Sequence, residues 1–158
     1  VNAPLLSILL PSYNAATTLP ACLASIERQT EKRWRCVVVD DGSSDESASV
    51  VHSFVARDDR FRLLSASHRG LVDALLLGVS ECSGRYIARM DADDVMRRDR
   101  LAHQLHALQM DTSLAAVGCH VRLFPRRALT EGMVRYESWL NSIRCPDDVH
   151  RNAYVECP

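Results

Sequence analysis

Four short apolar runs constrain this chain more than any other feature. Each ends in a polar or glycine-bearing turn, and each is followed by a segment with helical spacing. Leu5-Leu6-Ser7-Ile8-Leu9-Leu10 stops at Pro11, and Cys36-Val37-Val38-Val39 stops at Asp40-Asp41-Gly42-Ser43-Ser44-Asp45. Phe61 to Leu64 precedes His68-Arg69-Gly70, and Arg85-Tyr86-Ile87-Ala88-Arg89-Met90 runs into Asp91-Ala92-Asp93-Asp94. Near-continuous apolar runs of this length fit strands buried on both faces. Between them, Leu19, Leu23 and Ile26 make a helical stripe, with Thr17 or Thr18 as cap and Pro20 in the first turn. A second helix is predicted from Glu46 to Ala56, capped by the serines before it, and a third from Leu71 to Cys82, ended by Ser83-Gly84. A fourth spans Arg100 to Met110, with Leu101, Leu105 and Leu108 on one face. Leu114 to Gly118, reaching toward Val121, predicts a fifth strand.

This β-α-β-α-β-α-β-α-β order predicts an α/β fold: a mostly parallel sheet with helices on both faces. From Phe124 the alternation lapses, although Glu131 to Ile143 has the pattern of a helix carrying Tyr136, Trp139 and Leu140. The expected division is an α/β domain over residues 1–123 and the incomplete start of a second region over 124–158. The chain then stops mid-pattern, as if C-terminally truncated.

Composition narrows the function classes. The 158 residues carry a net charge of -1, so no overall field favours nucleic acid or an anionic membrane. No apolar run approaches the roughly 18 residues needed to span a bilayer. Leu5 to Leu10 is too short for a signal peptide and lacks a basic region before it. The six cysteines, Cys22, Cys36, Cys82, Cys119, Cys145 and Cys157, form no CxxC pair and no zinc-ligand spacing. Cys22, Cys36, Cys82 and Cys119 lie in apolar patterns and are expected as buried, reduced thiols of a cytoplasmic protein.

In open parallel sheets, ligands bind beyond the carboxyl ends of the strands. Three carboxylates within four residues, Asp91, Asp93 and Asp94, repel one another unless something neutralises them. Mn2+ or Mg2+ would do so, and either could bridge to a phosphate; the other reading is an acidic helix-capping loop. Tyr13, after Pro11-Ser12 and before Asn14, offers a face for a base, or is a packing aromatic. Asp40 or Asp41 could accept from a base N–H or from ribose hydroxyls, or the segment is a turn with an N-cap. Arg69 could approach a diphosphate and Gly70 allow close backbone approach, or Arg69 is a solvated arginine. His103 and His106 lack the convergent ligands of a metal site. Neither GxGxxG after the first strand nor GxxxxGK[ST] is present.

Together these pieces resemble family-2 glycosyltransferases of the GT-A type, inverting enzymes that use nucleotide-diphospho-sugars. The resemblance rests on Ser7 to Asn14, Gln29-Thr30, Val37 to Asp45, Gly70-Leu71, Gly84 to Asp94, and Arg100-Leu101 with Gln104. It covers about residues 4–120, and its motifs are specific in combination rather than singly. It implies a Rossmann-like nucleotide-diphospho-sugar-binding fold, with Pro11, Tyr13 and Asp41 lining the nucleoside pocket and Asp40 beside them. Asp91 would open the DxD motif, Asp93 would contact ribose or metal, and Asp94 would be the principal metal ligand. The wider set expected around the donor is Pro11, Tyr13, Asn14, Asp40, Asp41, Arg69, Gly70, Asp91 and Asp93, with Asp93 and Asp94 on the metal.

Two departures stand out. Leu76 occupies a place where the family often has asparagine. The family's general base, an acidic residue downstream of the DxD, has no counterpart assigned here; Glu156 is not given that role, and the base is expected beyond Pro158. The resemblance implies an enzyme that transfers sugar with inversion from a donor, a UDP-sugar before a GDP-sugar, to an acceptor hydroxyl on a glycan, a lipid-linked sugar or another molecule. This segment alone is expected to be inactive in transfer and prone to self-association, and the complete protein could be membrane-associated. The rivals are a degenerate nucleotide-sugar-binding module, a sugar nucleotidyltransferase and a receiver-type signalling domain. The nucleotidyltransferase's glycine- and arginine-rich loop is absent. So are the receiver's acidic pair after the first strand and its lysine after the fifth.

Overall fold

The computed structural model describes residues 4–152. The chain divides into two compact units, Val1–Thr112 and Ser113–Pro158.

The first unit is a four-stranded parallel sheet in the order β3-β2-β1-β4. Its elements are β1 (Leu6–Ser12), α1 (Leu19–Glu27), β2 (Trp34–Asp40), α2 (Ser47–Val55), β3 (Phe61–Ser65), α3 (Leu71–Ser80), β4 (Tyr86–Arg89) and α4 (Arg100–Met110). Parallel neighbours cannot be joined by a tight turn, so each pair is connected through a helix. One face of the sheet presents Leu6, Ile8, Leu10, Cys36 and Val38, which pack with Leu23 and Ile26 of α1, Val51 and Phe54 of α2, and Leu101 and Leu105 of α4. Ile8, Leu10 and Val38 are completely buried, and each such side chain contributes about 1.5–3 kcal/mol relative to exposure. The other face presents Leu9, Val37 and Val39 to Ala74 of α3.

Several expectations change in detail. Pro11 lies inside β1 rather than ending it, paired with Val39. The β1–β4 ladder ends at Leu9↔Arg89, so the missing N–H of Pro11 falls where β4 has already stopped. The fourth strand is not wholly buried: it is the sheet edge, and Ile87 is half exposed. The α2 entry is tied by Asp45, not by the serines: Asp45 Oδ1 accepts from the Ser47 N–H at 2.9 Å. Helix α3 buries Ala74 and Gly78 and leaves Val72 and Leu76 exposed.

The predicted fifth strand is absent among the described residues, and the segment 114–121 is largely exposed. In the second unit, side chains of α5 (Glu131–Leu140) and its C-cap bond the backbone at and just after the outer limit of that predicted strand. The Asn141 amide accepts from the Val121 N–H and donates to its carbonyl, both at 2.8 Å, while Glu137 accepts from the Leu123 N–H at 2.6 Å. A short helical turn (Arg126–Ala128) precedes α5, and α6 (Pro146–Asn152) follows it. Cys22 and Cys36 are buried as expected, Cys82 is partly buried, and Cys119 is exposed because the strand meant to bury it does not form. Cys157 and Glu156 lie outside the described residues.

Gly84 shows how tightly the β4 entry is packed. A Cβ there would sit 2.5 Å from the Ser7 nitrogen and 2.6 Å from the Leu6 carbonyl carbon, both backbone atoms. Gly84→Ala should therefore lower stability by about 1–3 kcal/mol, the range for overpacking. Urea unfolding checks this, and an unchanged midpoint would show that the β1–β4 start can shift.

Candidate functional site

Four parallel strands place their carboxyl ends along one edge. Turns from β1, β2 and β3 meet there in a cluster built around Asp41. Asp41 is almost fully buried and engages both oxygens with the turn after β3: Oδ1 accepts from the Arg69 N–H at 2.9 Å, and Oδ2 from the Gly70 N–H at 2.9 Å and from His68 Nδ1 at 2.8 Å. The Arg69 amide, followed by the Gly70 amide and the His68 imidazole, holds the Asp41 carboxyl below its ordinary range, against the opposing effect of burial. A carboxyl lowered in this way contributes stability above its ordinary value and loses it as pH falls through the lowered one. The clamp on residues 68–70 is thus closed at neutral pH.

His68 also lies flat on Tyr13, with ring centroids 4.0 Å apart and planes 15° from parallel. Gly42 makes room for this arrangement: its φ is +70°, and a Cβ there would come within 2.7 Å of the His68 nitrogen. Gly70, at φ +96°, has open space where a Cβ would be. Asn14 knits the β1 and β2 turns, its N–H donating to Ser43 Oγ and its Oδ1 accepting from the Ser44 N–H. The Arg69 side chain is exposed and sits 3.6 Å from Asp73. At the last rung of the β1–β2 ladder, Ser12 and Asp40 are paired, and Ser12 Oγ and Asp40 Oδ1 are buried without a hydrogen-bond partner. Leaving such groups unsatisfied costs about 1–3 kcal/mol each.

The acidic turn after β4 is held by α1. Cys22 Sγ donates to the Asp91 carbonyl at 3.5 Å, and Ser25 Oγ accepts from the Met96 N–H at 2.9 Å. Gln29 is fully buried and completes the attachment: Nε2 donates to the Arg97 carbonyl at 2.7 Å and Oε1 accepts from the Leu101 N–H at 3.1 Å. Arg89 pairs with Asp91 at 3.0 Å. Partial desolvation raises the Asp94 carboxyl above its usual range; Asp93 and Asp91 push it the same way, opposed by Arg100. Burial pushes the Cys22 thiol up to about 12, with Asp94, Asp93 and Asp91 adding to the rise. The turn therefore carries more carboxylates than counter-charges, with Arg89 on Asp91 and Arg100 acting on Asp94. It caps no helix, since α4 begins at Arg100 behind Asp99. Among the described residues, no three His, Cys, Asp or Glu side chains are gathered as a complete metal cage.

Tyr13, Asp41, Arg69 and Gly70 are thus in one contact cluster, with Asn14 tying its loops and Pro11 and Asp40 in the strand ends beneath. Asp91, Asp93 and Asp94 lie at the adjacent strand end. His68 is the residue that sequence reasoning passed over. It was visible as the aromatic beside Arg69-Gly70 at a strand end, but only the fold stacks it on Tyr13. Gln29 had no legible role either, because its partners lie about 70 positions away.

Residues 7–151 match the family model described as glycosyl transferase family 2. An uncharacterized glycosyltransferase of Haemophilus influenzae is 29% identical over 123 residues, covering 77% of this chain and 38% of that protein. Escherichia coli chondroitin synthase is 32% identical over 116 residues, covering 73% of this chain and 17% of that protein. The chain thus spans well under half the length of these curated relatives. Among solved structures, the mannosyltransferase PcManGT of Pyrobaculum calidifontis, in complex with GDP-Man and Mn2+, is 28% identical with a TM-score of 0.71, over 77% of this chain and 36% of that one.

The raised Asp94 carboxyl carries a prediction. A folded-state value above the unfolded one means that stability is full at low pH and is lost as pH rises through the raised value. In metal-free buffer at neutral pH, Asp94→Asn should therefore melt at or above the wild-type temperature. The gap should close as pH falls toward about 3.9, the ordinary aspartate value. Melting curves across pH test this, and a large loss of stability at neutral pH would make Asp94 a structural residue.

Proposed function

The chain belongs to glycosyl transferase family 2, and on that premise we propose that it binds the nucleoside-diphospho-sugar donor of an inverting glycosyltransferase. The observation that carries this reading is the Tyr13–His68–Asp41 cluster beside the charged turn at Asp91–Asp94, along one edge of a parallel sheet. In this reading a base lies against the aromatic pair. Asp41 holds the turn that shapes the pocket, and Asp40 stands behind it. Arg69 is long and exposed enough to leave Asp73 for a diphosphate, and Gly70 lets the backbone come close. The likeness to a neighbour crystallised with GDP-Man and Mn2+ favours a donor of this class.

Asp93 and Asp94 would hold Mn2+ or Mg2+. Such ions at nucleotide sites use one or two carboxylates and complete their shell with phosphate and water oxygens. The raised Asp94 carboxyl and the repulsion from Asp93 and Asp91 suit that donor set. When bound, the ion supplies charge neutralisation for the departing diphosphate. The protein's own residues position the base, ribose and diphosphate so that an acceptor hydroxyl can attack the anomeric carbon from the opposite side, inverting it. The carboxylate that takes the hydroxyl's proton is not assigned to any of residues 1–158, so this segment alone should not transfer sugar appreciably. Among the described residues no helix is long and apolar enough to cross a membrane. The acceptor hydroxyl belongs to a glycan, a lipid-linked sugar or another molecule.

Calorimetry with UDP and with GDP, each with Mn2+ and with EDTA, tests the reading. Binding should need the metal, with UDP the tighter ligand. Equal binding in EDTA would remove the metal bridge, and no binding of either nucleotide would remove the donor site. Tyr13→Ala should weaken binding by roughly 1–3 kcal/mol, the range for base–aromatic stacking. Unchanged affinity would make Tyr13 a packing residue.

A further inference from the structure

We propose that Gln29 is the positioning residue of the acidic turn: by fixing the segment that follows Asp91–Asp94, it sets how tightly the turn takes a divalent cation. This role presupposes the donor-binding reading above, and it assigns control of the metal to a buried amide rather than to another carboxylate.

Gln29 lies just past the end of α1 and is completely buried. A buried amide is costly unless both of its ends are paired. Here both are. Nε2 donates to the Ser25 carbonyl at 3.2 Å and to the Arg97 carbonyl at 2.7 Å, while Oε1 accepts from the Leu101 N–H at 3.1 Å. The partners fix the orientation of the head group, since carbonyls meet the nitrogen and an N–H meets the oxygen. One contact is in α1, one between the acidic turn and α4, and one in the first turn of α4. The first turn of a helix has N–H groups without intrahelical partners. Asp99, at the N-cap of α4, makes no side-chain cap bond. Gln29 supplies one from 72 positions away.

Fixing the start of α4 also fixes Arg100, its first residue. Arg100 Nη2 donates to the Arg89 carbonyl at 3.3 Å, and Arg100 is the cation that opposes the rise of the Asp94 carboxyl. Thr30 adds a further tie, its N–H donating to the Arg98 carbonyl at 2.9 Å. On the other side of the turn, the Met90 N–H donates to the Leu9 carbonyl at 3.0 Å. The acidic residues therefore lie on a span anchored at both ends. Three carboxylates on a free loop would lower their repulsion by moving apart. On an anchored span they stay together, and a site already held in shape loses less freedom when its ion arrives.

The test reads the Mn2+ concentration that half-supports nucleotide binding, by calorimetry with whichever of UDP and GDP binds the wild-type chain. Gln29→Met keeps the length and the burial but pairs with neither Arg97 nor Leu101. It should need about tenfold more Mn2+, the lower end of the range for residues that orient metal ligands. Val51→Ala, a cavity in the core beside α2, should unfold at lower urea yet need the same Mn2+ within about twofold. Gln29→Glu separates hydrogen bonding from packing. Its neutral carboxyl can still donate to Arg97 and accept from Leu101, whereas its ionised form turns an acceptor toward two carbonyls. Burial and those carbonyls should raise it above about 4.3, the ordinary glutamate value. The pairing is then kept in acid and lost as pH rises through the raised value. The ratio of its Mn2+ requirement to that of the wild type at the same pH should therefore grow with pH. An unchanged requirement in Gln29→Met, or a pH-independent ratio in Gln29→Glu, overturns the role of Gln29 while leaving the donor site standing. Failure of the wild type to bind UDP or GDP with Mn2+ overturns the donor reading and this inference with it. Amide exchange in the unmutated, metal-free protein gives a readout independent of variant folding. The Leu101 N–H, which an uncapped helix start would leave open to water, should be as protected as the Ile26 N–H inside α1. Fast exchange at Leu101 would reject the tie.

Discussion

Parallel pairing of β1 with both β2 and β4 is the constraint from which the rest of the first unit follows. Backbone N–H and C=O groups buried in a sheet must find partners, and parallel partners require the chain to cross back before each new strand. The crossovers are the helices, and their apolar stripes cover the two faces. The same constraint puts every strand's carboxyl end on one edge. Turns far apart in sequence, at residues 13, 41, 68 and 91, become neighbours along that edge without any local signal drawing them together. The core is thus also the device that assembles the site.

The two acidic turns on that edge are treated in opposite ways. Asp41 is buried but surrounded by N–H donors, so its charge is satisfied and orders residues 68–70. Asp94 is more exposed, yet Asp91 and Asp93 push its carboxyl up, and only Arg100 opposes that rise, while Arg89 pairs with Asp91. Like charges so placed disfavour ionisation, whereas N–H donors favour it. One carboxylate therefore organises structure, and the other turn keeps an excess of carboxylates over arginines. In the donor-binding reading proposed above, a divalent cation would neutralise that excess and link it to the diphosphate.

Helix α1 connects core and charge. Its inner face carries Leu19, Leu23 and Ile26 into the main cluster, while Cys22 and Ser25, with Gln29 just past its C-terminal end, attach to the segment from Asp91 to Leu101. Each attachment satisfies a backbone group of an irregular segment that would otherwise lack a partner. The acidic turn is thereby held against its own repulsion by neutral hydrogen bonds to a helix that is itself fixed by hydrophobic burial. Gln29 has little freedom in this setting: a shorter side chain would leave the Leu101 N–H and the Arg97 carbonyl without it.

The alternation of apolar runs and amphipathic stripes determined four strands and the helices between them, because each depends on local periodicity and burial. It also marked the polar turns at 13–14, 41–45, 68–70 and 91–94 as following strands, although Pro11, Ser12 and Asp40 lie within the strands themselves. The fifth strand, expected over 114–118 and toward Val121, is absent among the described residues because an apolar run is a strand only where a neighbouring strand pairs with it, and at Val121 the backbone pairs with the Asn141 side-chain amide instead. Sequence marked Tyr13, Asp41 and the acidic turn by residue type. Only the tertiary structure decided that Asp41 turns inward to residues 68–70, that His68 lies on Tyr13, and that Gln29 anchors the segment before α4. Those outcomes depend on the distance and direction between residues 27 to 72 positions apart, and such geometry exists only once the sheet has closed.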